Sequence, residues 1–127
     1  MKIEILGAES LGVRSMATFV QCHRMNILID PGVSLAPWRF GVRPHICEIA
    51  ASHSVREKIL SRAEKSDVIV LTHFHHDHFT PFFRRIYEWS DEERAMKLYR
   101  GKKIFAKSMN RKINPSQKRR AHTLYSK

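Results

Sequence analysis

Apolar and polar residues alternate over Lys2–Leu6, with Ile3 and Ile5 on one side, which predicts a short strand ended by Gly7. Residues 7–15 carry two glycines and two serines and predict a loop. Met16–Cys22, containing Thr18, Phe19 and Val20, reads as a second strand, and His23–Asn26 as a turn. The run Ile27-Leu28-Ile29 predicts a buried strand, stopped by the turn chemistry of Asp30-Pro31-Gly32. Residues 1–32 therefore predict a three-stranded antiparallel meander.

The pattern changes over residues 33–66. A Pro- and Gly-punctuated loop at 33–44 contains Trp38, Arg39, Phe40 and Arg43, and a helix in two pieces is expected after it. Ser54 can cap the second piece, with Glu57 completing a capping box. Val55, Ile59, Leu60 and Ala63 then fall on one helical face. Residues 67–80 open with Val68–Leu71, an unbroken apolar run that suits a strand covered on both sides, and run on into a polar loop. Residues 81–127 predict a helix from Ser90 with Glu93 in capping-box position, closed by Gly101. Lys103–Lys107 reads as a strand, and Asn114-Pro115 opens a last helix with no stop signal before Lys127.

Composition adds limits. The 127 residues suit one domain, and the longest apolar run is too short to span a bilayer. The beginning, M-K-I-E-I-L-G, lacks the apolar core of a signal peptide, so a cytoplasmic location is expected. Cys22 and Cys47 are too few for a disulfide framework and too scattered for a structural zinc site. Charge is distributed unevenly. Residues 1–96 hold 12 Lys/Arg and 12 Asp/Glu, whereas residues 97–127 hold 11 Lys/Arg and no acid, so the last segment carries the whole net charge of +11. Such a segment suits nucleic acid or another anionic substrate, or else a solvated basic face.

The candidate chemistry lies in T-H-F-H-H-D-H, residues 72–78. His73 and His75 are two apart where a strand ends, so alternation aims both imidazoles to one side and Phe74 to the other. Two converging imidazoles can hold one metal ion. Asp77 and His78 follow as the chain turns and can serve a second ion beside it. Imidazole suits zinc or iron, and a lone carboxylate argues against magnesium or calcium. A polar surface loop with adventitious metal binding is the plainer alternative. The buried strand ahead of the cluster weighs against it.

The spacing His73-x-His75-x-Asp77-His78, after Val68–Leu71 and Thr72, resembles the signature of the metallo-β-lactamase superfamily. Asp30, closing I-L-I-D, and the stretch G-A-E-S-L-G-V-R-S extend the likeness over most of residues 1–110. The whole chain most resembles an uncharacterised archaeal group of predicted hydrolases, sometimes labelled exonucleases. The resemblance implies an α+β fold that is the N-terminal half of an αββα sandwich. It implies His73 and His75 on one metal and Asp77 and His78 on the other, with zinc the leading ion and iron or manganese also suitable. Asp77 would also orient or deprotonate the attacking water, Asp30 would support the loop without ligating, and His76 would be exposed. The implied activity is metal-dependent hydrolysis of a phosphodiester. A small-molecule ester, thioester or lactone hydrolase, and a non-catalytic binding subunit, are the alternatives.

The superfamily also needs later ligands, and after His78 the chain has only His122 and Asp91. Asp91 suits a helix start and His122 a basic surface, so the chain alone is expected to be inactive. Its site would be completed by a missing C-terminal half or a homo-oligomer, and its sheet would show an uncovered apolar face. Trp38, Arg39, Phe40 and Arg43 are expected to plug the sheet edge rather than grip a ligand. Arg14-Ser15 reads as a turn, Phe79, Phe82 and Phe83 as core, and Arg84-Arg85 as a solvated helix face. His45 and His53 read as helix-surface residues.

Overall fold

The computed structural model describes residues 1–9 and 13–127, so the loop expected at 7–15 lies partly outside the described residues. The chain forms β1 (Lys2–Ile5), β2 (Thr18–Gln21), β3 (Asn26–Ile29), α1 (Ile46–Glu64), β4 (Val68–Leu71), α2 (Glu92–Tyr99), β5 (Lys103–Ala106) and α3 (Pro115–Tyr125). The fold is α+β, with one mixed sheet in the order β1-β2-β3-β4-β5. β1, β2 and β3 form the antiparallel meander, while β3, β4 and β5 run parallel. Parallel neighbours need crossovers; α1 and α2 supply them and pack against each other.

The helices cover one face of the sheet. Phe19, Leu28, Ile69 and Leu71 point into a core completed by Val55, Ile59 and Ala63 of α1, Ala95 and Leu98 of α2, and Ala121 of α3. Strand alternation puts the other apolar set on the opposite face. There the pairing aligns Ile3, Val20, Ile27 and Val68 in one row, and Ile5, Thr18, Ile29, Val70 and Phe105 in the next. Ile3 is 58% exposed, Ile5 63% and Phe105 53%, so among the described residues this face lies open at its β1 and β5 edges, while Val68 between them is buried. The expectation that β4 is covered on both sides is met only in part: Ile69 on the core side and Val68 on the other are buried, whereas Val70 faces the open side and is half-buried.

Four further expectations are corrected. The predicted two helical pieces are one helix, Ile46–Glu64, because no Gly or Pro interrupts it. Its cap is His45, whose Nδ1 accepts from Cys47 N while Glu48 accepts from His45 N, and Ser54 is an exposed mid-helix residue. The cap of α2 is Asp91 rather than Ser90, since the Asp91 carboxylate meets Arg94 N at 2.8 Å whereas Ser90 Oγ donates to Phe83 O. Arg84 precedes, and Arg85 opens, a turn closed by the Arg85–Ser90 bridge, so neither lies on a helix, and Arg85 pairs with Glu88 at 2.9 Å. The cap of α3 is Asn114, followed by Pro115 in the first turn, as the sequence indicates.

In the segment 33–44, Val33 and Leu35 are buried, but Trp38, Arg39, Phe40 and Arg43 are exposed and do not plug the sheet edge. The tip of the segment forms a tight turn closed by reciprocal hydrogen bonds between Arg39 and Val42. Phe40 and Gly41 in the middle both have positive φ, and the Phe40 side chain is fully exposed. Arg43 stacks over the Trp38 ring at 5.3 Å. Two residues at positive φ match the twist of a two-residue hairpin, which directs their side chains outward.

Candidate functional site

β3 and β4 are parallel neighbours, so their C-terminal ends emerge side by side. Asp30 follows one and Thr72 the other. Asp30 has φ +47, a left-handed conformation that short polar side chains tolerate. That turn carries its carboxylate across to the neighbouring loop. Oδ1 accepts from Thr72 N at 2.8 Å, and Oδ2 accepts from Thr72 Oγ1 at 2.7 Å and lies 2.9 Å from His78 Nδ1. One buried carboxylate therefore ties both ends of the His loop to the end of β3. Burial pushes the Asp30 carboxyl up, but its bonds from His78 and Thr72 outweigh that and hold it below the usual carboxylate value. Burial likewise opposes charge on His78, yet Asp30 and then Asp77 raise it above the usual histidine value.

The loop that Asp30 braces packs its imidazoles together. The ring centroids of His73 and His78 are 3.9 Å apart, and those of His73 and His75 4.8 Å. Asp77 Oδ2 lies 3.5 Å from His78 Nε2. Burial, then the neighbouring His78 and His75, lowers the proton affinity of His73, which keeps its ring neutral at neutral pH. Neutral imidazole is the form that binds metal.

The hydrogen bonds also choose which ring nitrogen faces outward. Thr72 gives its hydroxyl hydrogen to Asp30, so its oxygen accepts from His73 Nδ1 at 3.0 Å, leaving His73 Nε2 for a ligand. His78 Nδ1 donates to Asp30 and leaves its Nε2 beside Asp77. His75 is held differently, with its Nε2 meeting Gln117 Nε2 of α3 at a long 3.4 Å. Second partners of this kind fix the tautomer and aim of metal-binding histidines. The donor set of three imidazoles and the Asp77 carboxylate fits a borderline ion such as zinc. Its closure does not: among the described residues no group of three or more His, Cys, Asp or Glu side chains stands arranged to hold an ion.

His76 is not exposed, contrary to expectation. It is half-buried, stacks on Phe79 and meets Phe83 edge-on, and desolvation with nearby Arg85 and Arg120 drops its pKa to about 4. Phe79 is fully buried and Phe82 partly so, but Phe83 is 42% exposed and only partly meets the expectation of core. Asp91 is the α2 cap beside Arg94, and His122 is exposed on α3; neither reaches the His loop. Arg14 pairs with Glu9 at 3.7 Å, and buried Ser15 donates to Gly32 O at 2.6 Å.

Two contributors carry no local signal in the sequence. Gln117 Oε1 accepts from Phe74 N at 3.3 Å, and Arg120 Nη1 donates to Phe74 O at 3.3 Å, so α3 grips the loop backbone between His73 and His75. Gly32 passes beneath the loop's far end, where an added Cβ would lie 2.5 Å from the backbone nitrogens of His78 and Phe79. Only the basic composition of α3 and the turn signal at Gly32 hint at either.

No family model matches the chain, and no solved structure matches it. The chain is similar to proteins named UPF0282. It is 51% identical over 122 residues to one of Pyrococcus furiosus, covering 96% of this chain and 39% of that protein. It is 46% identical over 121 residues to one of Thermococcus kodakarensis and 46% over 124 residues to one of Pyrobaculum islandicum, each covered for 40% of its length. The chain thus spans about two fifths of the curated relatives it matches.

Proposed function

We propose that this chain is the metal-binding part of a phosphodiester hydrolase of metallo-β-lactamase type. The observation that carries the reading is the seating of α3 on the His loop. Gln117 and Arg120 hold the backbone of Phe74, so α3, which belongs to the acid-free segment 97–127, lies against the cluster. Of the eleven lysines and arginines in that segment, only Lys97 and Lys127 lie within ion-pair distance of a carboxylate among the described residues. Arg111, Lys112, Lys118 and Arg119 are exposed. A cationic rim beside a cluster of metal donors favours a polyanionic substrate over a neutral ester.

In this reading His73 and His75 hold one divalent ion, and Asp77 and His78 a second, with zinc the leading candidate. Such ions supply Lewis acidity and lower the pKa of the attacking water. The rest falls to the chain. Asp30 orients His78 and, through Thr72, His73. Asp77 can accept the proton of the attacking water, and the basic helix draws and aligns the phosphate backbone. Catalytic zinc takes three protein ligands plus water, so further ligands come from elsewhere. The longer protein of which the relatives are examples is the natural source, and its remainder would also cover the open sheet face bearing Ile3, Ile5 and Phe105.

The test is hydrolysis by the full-length Pyrococcus furiosus relative. Single-stranded and double-stranded oligonucleotides and bis(p-nitrophenyl) phosphate are offered beside a thioester and a lactone, with and without chelator. Chelator-sensitive, zinc-restored phosphodiester cleavage supports the reading. Cleavage of the thioester or lactone alone moves it to the small-molecule alternative, and metal-free nucleic-acid binding without cleavage moves it to a binding subunit.

A further inference from the structure

Arg56 is fully buried in α1, and among the described residues no carboxylate pairs with it. Its guanidinium fans out to three segments instead. Nη1 donates to Pro31 O at 3.2 Å and to Thr80 Oγ1 at 2.6 Å, and Nη2 donates to Glu88 O at 2.8 Å. Glu88, whose carbonyl it meets, turns its carboxylate to Arg85 instead. Nε has no partner. Desolvation pulls the pKa of this group down to about 10, so it stays charged at neutral pH at an appreciable energetic cost. A cation buried among carbonyls is a poor choice for stability alone, because well-packed apolar side chains usually do as well.

The partners say what the charge accomplishes. Pro31 follows Asp30, the carboxylate that braces the His loop. Thr80 comes two residues after His78, where that loop re-enters the core. Thr80 Oγ1 itself donates to Pro31 O at 2.7 Å, and Tyr99 Oη accepts from Thr80 N at 3.0 Å. Arg56, Thr80 and Tyr99 therefore bolt the turn carrying Asp30 to the segment leaving His78. The planar fork suits this task, since it reaches several acceptors in fixed geometry. The Gly32 backbone beneath His78 leaves no slack between the two segments.

We infer that Arg56 is a positioning residue for the metal loop, fixing through Pro31 and Thr80 the separation between Asp30 and the Asp77–His78 pair. The inference rests on the metal reading above. It assigns to α1 a role in ligand geometry that the His-rich motif does not contain.

The test uses this chain with Arg56→Lys, which keeps the charge but loses the fork, and Tyr99→Phe, which removes only the hydroxyl holding Thr80. Circular dichroism first establishes which variants are folded. Zinc affinity and the visible absorption of the cobalt(II) complex are then compared with the unsubstituted chain. The expected result is a zinc affinity lowered about 10- to 100-fold with a shifted cobalt spectrum in a folded variant, the range typical of lost outer-shell support. A folded variant with unchanged affinity and spectrum overturns the inference while leaving the metal reading intact. Absence of zinc binding by the unsubstituted chain overturns both. Should Arg56→Lys fail to fold, Tyr99→Phe decides the matter alone, and unfolding of both overturns a role confined to positioning.

Discussion

Gly32 lies so close beneath His78 that the two backbones exclude a side chain between them: a Cβ at Gly32 would come within 2.5 Å of His78 N. The obstructing atoms are backbone, which cannot rotate aside. Gly32→Ala must therefore displace the segment Asp77–Phe79, and overpacking of this kind costs about 1–3 kcal/mol. Urea denaturation should show that loss, and zinc titration should show weakened binding. An alanine variant with unchanged stability would mean the loop moves freely away from β3.

The Asp30–His78 pair makes the stability of the metal-free chain depend on pH in two directions. His78 is raised above 6.5 in the folded chain, so its contribution is full below that value and is lost as pH rises through the folded value. Asp30 is held below 3.8, so its contribution is full above that value and is lost as pH falls through the folded value. With chelator present, the pair should stabilise most between those two ordinary values. Thermal melting across pH should show a maximum there that Asp30→Asn flattens on both sides. An unaltered profile would show that the pair does not hold the loop in solution.

If the basic segment meets a phosphate backbone, binding must weaken steeply with salt. For single strands the slope of log K against log salt is about −0.7 per phosphate neutralised. Lys118→Glu with Arg119→Glu should shallow that slope by roughly one to two and lower affinity, while far-ultraviolet dichroism stays unchanged because both side chains are exposed. Fluorescence anisotropy with a labelled oligonucleotide reads this directly. A slope indifferent to both changes would remove α3 from the interface.

The open sheet face predicts self-association of the isolated chain. Ile5 and Phe105 sit in the same cross-sheet row and are both more exposed than buried. Replacing each with Thr keeps strand propensity, removes apolar area, and should raise the concentration at which light scattering appears without lowering the unfolding midpoint. Lower stability in that double variant would mean the face is covered within the isolated chain.

What could be read from sequence was local. The meander, the apolar run ahead of the cluster and the Asn114-Pro115 start each depend on neighbours a few residues apart, where period and capping chemistry act. What escaped reading was long-range. His45 as a cap displaced the Ser54 expectation because the unbroken helix removes any need for a second start. Arg56 reaches Pro31 and Thr80, each more than twenty positions away, and Gln117 reaches His75 across 42 positions. Aromatic content suggests a plug at the sheet edge for Phe40, but a turn with two positive φ angles sends its side chain outward. Tertiary placement decided each of these.

The most direct measurement is calorimetric titration of zinc into the purified chain, beside a variant carrying His73→Ala, His75→Ala and His78→Ala. The account predicts saturable binding by the unsubstituted chain and its loss in the triple variant, with dichroism showing both folded. Absence of saturable binding, or equal binding by the two, would contradict a metal site that residues 73–78 hold within this chain.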